Sequence, residues 1–181
     1  MSINKSNFNY PSIYSFPPFF TKQTNISTWQ QQSKIWQTLI LEYFKFNKEF
    51  ELVLNVGNAH YQNLFYNKSI NRSLKPEIVR EIIDLLVGQG VAKYEDPNLV
   101  IILGKSIEEW GIIIYQWVSD TGSLNSVLTQ YELTQGDLVT DTEFYQLHPT
   151  ILKWSLEDLA TKGKCQLFKG NESDEFGVKF F

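Results

Sequence analysis

Cysteine is nearly absent from this 181-residue sequence: Cys165 is the only one, so no disulfide can form within the chain. No secretory leader is evident, because the first residues lack a basic start, an unbroken apolar stretch and a small-residue cleavage site. Together these features point to the cytosol. No apolar run approaches about 18 residues, which excludes a spanning helix by length. Histidine is also scarce, with only His60 and His148. No His, Cys or carboxylate cluster has metal-ligand spacing, and no nucleophile stands near a base in the sequence. Gly104-Lys105-Ser106 looks like the end of a phosphate loop, but position 99 is Leu where that motif needs Gly. An enzyme is therefore not expected, and neither is a cofactor.

Basic charge is in short supply where nucleic acid would need it. Residues 1–103 hold 10 Lys+Arg and 8 Asp+Glu, whereas residues 104–181 hold 6 and 12. A strongly charged partner of the second half should be basic, which argues against nucleic acid.

Aromatics are plentiful, with five Trp, nine Tyr and thirteen Phe, enough to build sizeable cores. Trp36, Leu39, Ile40, Tyr43 and Phe44 have the spacing of one buried helical stripe. Trp110, Ile113, Ile114, Trp117 and Val118 repeat that stripe 74 residues later, behind a capping box of Ser106 and Glu109. Lys75-Pro76 opens a further helix that stops at Gly88 and Gly90, and His148-Pro149 opens its counterpart, which stops at Gly163. Each of these leads into two short strands, at 91–94 and 99–103 in the first half and at 164–169 and 176–181 in the second. The turn of the second pair is expected around Gly170-Asn171-Glu172-Ser173. A short strand and a short helix fit between, at 50–56 and 67–74, then at 127–133 and 141–147.

Helix, strand, helix, helix, hairpin is the order of a winged helix. The expected fold is therefore α+β, with two tandem winged-helix domains at 26–103 and 104–181 behind a docking segment at 1–25. A duplicated four-helix domain is the rival, and the apolar run Leu99-Val100-Ile101-Ile102-Leu103 weighs against it.

Residues 10–25 pose a separate question. The polar stretch 1–9 suits a disordered leader, but Tyr10, Tyr14, Phe16, Phe19 and Phe20 among Pro11, Pro17 and Pro18 do not. Proline favours an extended backbone, so the aromatics would project from a stiff segment. They either cover this chain's own core or fill a pocket on a partner.

Several stretches resemble one family. They are Phe16-Pro17-Pro18-Phe19-Phe20-Thr21, Glu108-Glu109-Trp110-Gly111 and Ile114-Tyr115-Gln116-Trp117-Val118-Ser119, with Asn125-Ser126-Val127, Tyr131-Glu132-Leu133-Thr134, Gly136 and Gly177-Val178-Lys179-Phe180-Phe181. Together they are similar to the smallest subunit of the ESCRT-II endosomal sorting complex, from near the N-terminus to the last residue. The resemblance implies a non-enzymatic adaptor in multivesicular body sorting of ubiquitinated membrane cargo. Two copies would join the larger ESCRT-II subunits, docking through N-terminal Pro-Pro-x-Tyr-like motifs. The second winged helix would recruit an ESCRT-III subunit, and the membrane would be met only through the complex.

On that pattern Pro11-Ser12-Ile13-Tyr14 and Pro17-Pro18-Phe19-Phe20 are two degenerate motif copies, with Phe20 lacking the tyrosine hydroxyl. Pro11, Tyr14, Phe16, Pro17, Pro18, Phe19 and Phe20 are the expected contacts to the larger subunits. For ESCRT-III the candidates are Val127, Leu128 and Thr129 on a strand, beside Asp137, Asp141 and Glu143. The class-distinct alternative is a nucleic-acid-binding winged helix, and the mixed charges of both third helices speak against it.

Overall fold

Asn25 accepts a hydrogen bond from the Thr28 amide (3.0 Å) and thereby starts α1 (Ile26–Asn47) in the computed structural model, which describes residues 8–170 and 176–181. The leader expected at 1–9 therefore lies mostly outside the described residues, as do 171–173 of the second hairpin's turn. All five residues of the first stripe are buried on α1.

The chain divides between Gly104 and Lys105 into two units. In the first, α1 is followed by β1 (Glu51–Val53), α2 (Ala59–Phe65) and a small ribbon of β2 (Tyr66–Asn67) and β3 (Arg72–Ser73). Then come α3 (Pro76–Gly88), β4 (Ala92–Asp96) and β5 (Leu99–Ile102). The three longer strands form an antiparallel sheet in the order β1-β5-β4, with Leu52 opposite Val100.

The second unit holds α4 (Ile107–Asp120), β6 (Val127–Thr129), α5 (Gln130–Thr134), α6 (Pro149–Thr161), β7 (Cys165–Lys169) and β8 (Phe176–Phe180). Its sheet runs β6-β8-β7, the same order, with Leu128 opposite Val178. Ser106 and Glu109 form the capping box that starts α4. Each unit is thus a winged helix.

Three short elements differ from the sequence reading. The helix placed at 67–74 lies earlier, at α2, where the Asn58 side chain caps the Tyr61 amide and Tyr61, Leu64 and Phe65 share the buried face. Residues 67–74 cannot continue it. The Asn67 carboxamide accepts from the Ser69 amide (3.0 Å), and Asn71 sits at φ 50°, so the chain turns back as a ribbon. The strand placed at 127–133 stops at Thr129, because Thr129 and Glu132 form a second capping box and Gln130–Thr134 is helix. The helix placed at 141–147 is a series of turns, with Gln146 left-handed at φ 59°.

The segment before α1 also departs from a plain extended form. Its backbone is extended at Pro11, Phe16 and Thr21, but between these it makes two 3-10 turns, Ser12–Ser15 and Pro17–Phe20.

The two units pack their first and third helices differently. Gly111 on α4 is buried, and a Cβ there would stand 3.2 Å from Leu159 Cγ and 3.4 Å from the Ser155 carbonyl of α6. The repeat places Gln37 at the matching position of α1, and its Oε1 accepts from Gln89 Nε2 at 2.6 Å. At this matching position the second unit has a close approach, and the first has a polar bridge beside its apolar core. Gly111→Val should overpack the α4–α6 contact and destabilise the second unit by about 1–3 kcal/mol. Urea unfolding followed by tryptophan fluorescence measures this, and an unchanged midpoint would contradict the close approach.

Candidate docking surfaces

A proline-rich segment has few amide hydrogens, so burying it leaves carbonyls that need donors from elsewhere. Here α1 and the ribbon supply them. The Phe19 carbonyl accepts from Gln32 Nε2 (2.7 Å) and Trp36 Nε1 (3.1 Å). Gln32 Nε2 also reaches the Thr21 carbonyl (3.0 Å), and Asn67 Nδ2 donates to the Tyr14 carbonyl (2.7 Å).

Side chains complete the attachment. The Phe19 ring lies parallel to Trp36 with centroids 4.3 Å apart, and Phe20 meets both Trp36 and Tyr14 edge-on. Tyr14 stacks on Tyr10 at 4.4 Å and directs its hydroxyl at the Asn63 and Leu64 carbonyls, both 3.0 Å away. Burial pushes the Tyr10 hydroxyl up to about 12 and the Tyr14 hydroxyl up as well. Farther along, Glu81 accepts from Lys22 (2.7 Å) and from Trp29 Nε1 (3.0 Å), tying the end of the segment to α3.

Of the two destinations that the sequence leaves open for these aromatics, the chain's own core takes three of the rings. Tyr14, Phe19 and Phe20 belong to the core of the first unit, where their side chains are already surrounded. What faces outward is Phe16, 56% exposed, with Pro17 and Pro18 beside it. Pro11 is half-buried and borders a groove with Ile35, Leu39 and Glu42 of α1.

In the second unit, the candidate residues are unevenly exposed and partly engaged within the unit. Val127 is exposed, and Leu128 is half-buried opposite Val178. The Thr129 hydroxyl caps α5, and the Glu132 carboxylate accepts from the Thr129 amide (2.7 Å) and hydroxyl (2.9 Å), which hold its pKa below the usual carboxylate range. Glu143 pairs with Lys105 at 3.0 Å, so it is not a free member of the acidic group. Asp137 and Asp141 are exposed.

Between them stands Leu138, 82% exposed, on a 3-10 turn (Asp137–Val139) whose neighbour Val139 is fully buried. The sequence reading did not single out Leu138. Its signal was two adjacent apolar residues in a short turn, which cannot both face inward.

Elsewhere the reactive residue types serve the fold. The Cys165 thiol donates to the Leu156 carbonyl at 3.3 Å, and burial pushes it up to about 11, far from a ready thiolate. His60 Nδ1 lies 3.2 Å from the Tyr43 hydroxyl, and His148 Nδ1 accepts from the Thr150 amide. Arg80 on α3 donates to Pro97 and Asn98 of its own wing, and Lys162 pairs with Glu108 and Asp158. No group of three or more potential metal ligands gathers among the described residues, and no helix there is long and apolar enough to cross a membrane.

Because Phe19 is part of the core, Phe19→Ala should lower the stability of the first unit by about 3–5 kcal/mol. Chemical denaturation measures it, and a loss below about 1 kcal/mol would mean that the Trp36 stack is dispensable.

Comparisons with known proteins agree with this architecture. A family model described as ESCRT-II complex subunit matches residues 13–148. The vacuolar protein-sorting-associated protein 25 of Dictyostelium discoideum is 39% identical over 189 residues, covering 96% of each chain. The crystal structure of subunit VPS25 of the endosomal trafficking complex ESCRT-II superposes with a TM-score of 0.82 at 29% identity, over 94% of this chain and 98% of that one. A chain in the crystal structure of the endosomal complex ESCRT-II (VPS22/VPS25/VPS36) gives 0.79 at 30% identity, over the same shares.

Proposed function

Because the chain belongs to the ESCRT-II complex subunit family, among relatives of vacuolar protein-sorting-associated protein 25, we propose that it is an adaptor that joins larger ESCRT-II subunits to an ESCRT-III subunit. The family consists of structural subunits, not enzymes. In this reading two copies enter one complex, which acts at endosomal membranes in the multivesicular body sorting of ubiquitinated cargo. The chain meets the membrane through that complex. A relative solved within a VPS22/VPS25/VPS36 assembly supports the placement.

One observation carries the docking proposal. Phe16, Pro17 and Pro18 are exposed while their neighbours on either side, Tyr14 and Phe19, are locked into the core. The outward ridge is therefore held in one conformation before it meets a partner, which lowers the entropy lost on binding. Aromatic and proline surface of this kind suits the groove of another subunit. Pro11, beside the groove on α1, is a further contact in this reading, whereas Tyr14, Phe19 and Phe20 act by holding the ridge in shape.

Phe16→Ala with Pro17→Ala and Pro18→Ala should weaken binding to the larger subunits by about 2 kcal/mol or more. Far-ultraviolet circular dichroism should stay unchanged, since none of the three side chains is in the core. Co-purification and titration calorimetry with the larger subunits test this, and an undiminished affinity in a folded triple variant sinks the docking assignment.

For the ESCRT-III contact, the second winged helix (104–181) offers Val127, Leu128 and Thr129 with Tyr131 and Leu138 as an apolar strip, and Asp137 and Asp141 as exposed charge. A basic amphipathic helix complements both, with the acids steering encounter and the strip providing adhesion. Glu143, already paired with Lys105, contributes less than the two aspartates. Asp137→Lys with Asp141→Lys is expected to slow association with the ESCRT-III subunit, most at low salt, and to spare ESCRT-II assembly. Stopped-flow kinetics report the on-rate, and no change at low ionic strength removes this surface from the proposal.

A further inference from the structure

A second groove, on the first unit, is not used by either proposed contact. Its lining includes Val56, Tyr61 and Tyr66, with Leu74, Lys75 and Pro76 leading into α3. Val56 is 63% exposed and Tyr66 partly so, although both are large apolar residues with a core close at hand.

Two further features converge on it. The Tyr61 residue is buried, and its hydroxyl has no hydrogen-bond partner among the described residues. Buried hydroxyls are almost always satisfied, so this donor is short of an acceptor. Arg80 and Glu77, of opposite sign, both act on that hydroxyl, whereas the stretch that builds the ribbon carries charge of one sign. Residues 66–76 contain Lys68, Arg72 and Lys75 and no acid.

All three cations are exposed, and none makes an ion pair or a side-chain hydrogen bond with the described residues. Lys75 is part of the lining, while Lys68 and Arg72 stand on the ribbon that forms one wall. Lys22, Lys105 and Lys162, by contrast, all have carboxylate partners. The nearest opposing charge in sequence is Glu77, on the first turn of α3, where the helix dipole already favours it.

We infer that this groove binds an acidic peptide segment carrying an apolar anchor. The anchor would cover Val56, Tyr66, Leu74 and Pro76. Carboxylates would face Lys75, Lys68 and Arg72, and one acceptor would receive a hydrogen bond from the unpaired Tyr61 hydroxyl. Nucleic acid fits less well, because the lining is mostly apolar and α3 continues into Glu77, Glu81 and Asp84. The acidic second-unit surface described above seeks a basic partner. The two units would therefore select partners of opposite charge.

Fluorescence anisotropy with a labelled peptide of glutamates around a central phenylalanine tests this on the full chain. Its lysine counterpart and a short duplex DNA serve as comparators. Saturable binding of the glutamate peptide alone is expected. Lys68→Glu with Lys75→Glu should weaken it about tenfold or more, because both positions are exposed rim charges whose sign is reversed. Tyr61→Phe should weaken it while leaving the chain's melting temperature unchanged or higher, since it deletes an unsatisfied donor. Equal binding of the lysine peptide, preference for the DNA, or indifference to the double charge reversal would each overturn the inference.

Discussion

Two side-chain donors on α1, Gln32 Nε2 and Trp36 Nε1, meet at one backbone oxygen, that of Phe19. A segment with prolines at 11, 17 and 18 needs such donors for its buried carbonyls, since its own amides close only two 3-10 turns. With that requirement met, the aromatic rings can follow. Phe19 stacks on Trp36, Phe20 bridges to Tyr14, and the exposed ridge of Phe16, Pro17 and Pro18 is fixed as a by-product. The proposed docking surface thus depends on a polar contact that is itself buried.

Much of the fold could be read from the sequence because its strongest signals are local and periodic. The stripes at Trp36 and Trp110 have helical spacing, and the Lys75-Pro76 and His148-Pro149 starts are helix punctuation. The short elements were harder because their signals compete. Ile70 and Leu74 are spaced as if on a helix, yet Asn67 and Asn71 impose turn chemistry that outweighs two apolar residues. At 127–133 the β-branched and aromatic content favours a strand, but one Thr–Glu capping box converts its second half to helix.

For the candidate sites, residue type was legible and direction was not. The sequence marks residues 10–20 as unusual, and either destination for its aromatics was open. Which way Phe19 faces depends on Gln32 and Trp36, and Tyr14 depends on Asn63 and Asn67, all contacts between separate elements. Likewise nothing near Glu143 in the sequence indicates that Lys105 will neutralise it. The duplication helps with the frame of each unit and little with its surface. Gln37 and Gly111 occupy matching places and solve the same helix contact by different means.

In each sheet the strand made last is the middle one, β5 between β1 and β4, and β8 between β6 and β7. On the ribosome, therefore, neither sheet can close gradually. The first strand of each waits, with an unpaired edge and a half-built core, until the final strand emerges and seals both sides together. For the second unit the wait lasts until residue 180 has cleared the exit tunnel. Without β8 the first unit would keep all its strands and the second would have two edges and no centre. Such a chain offers open strand edges to its neighbours, so β8 guards against aggregation as much as it completes the fold.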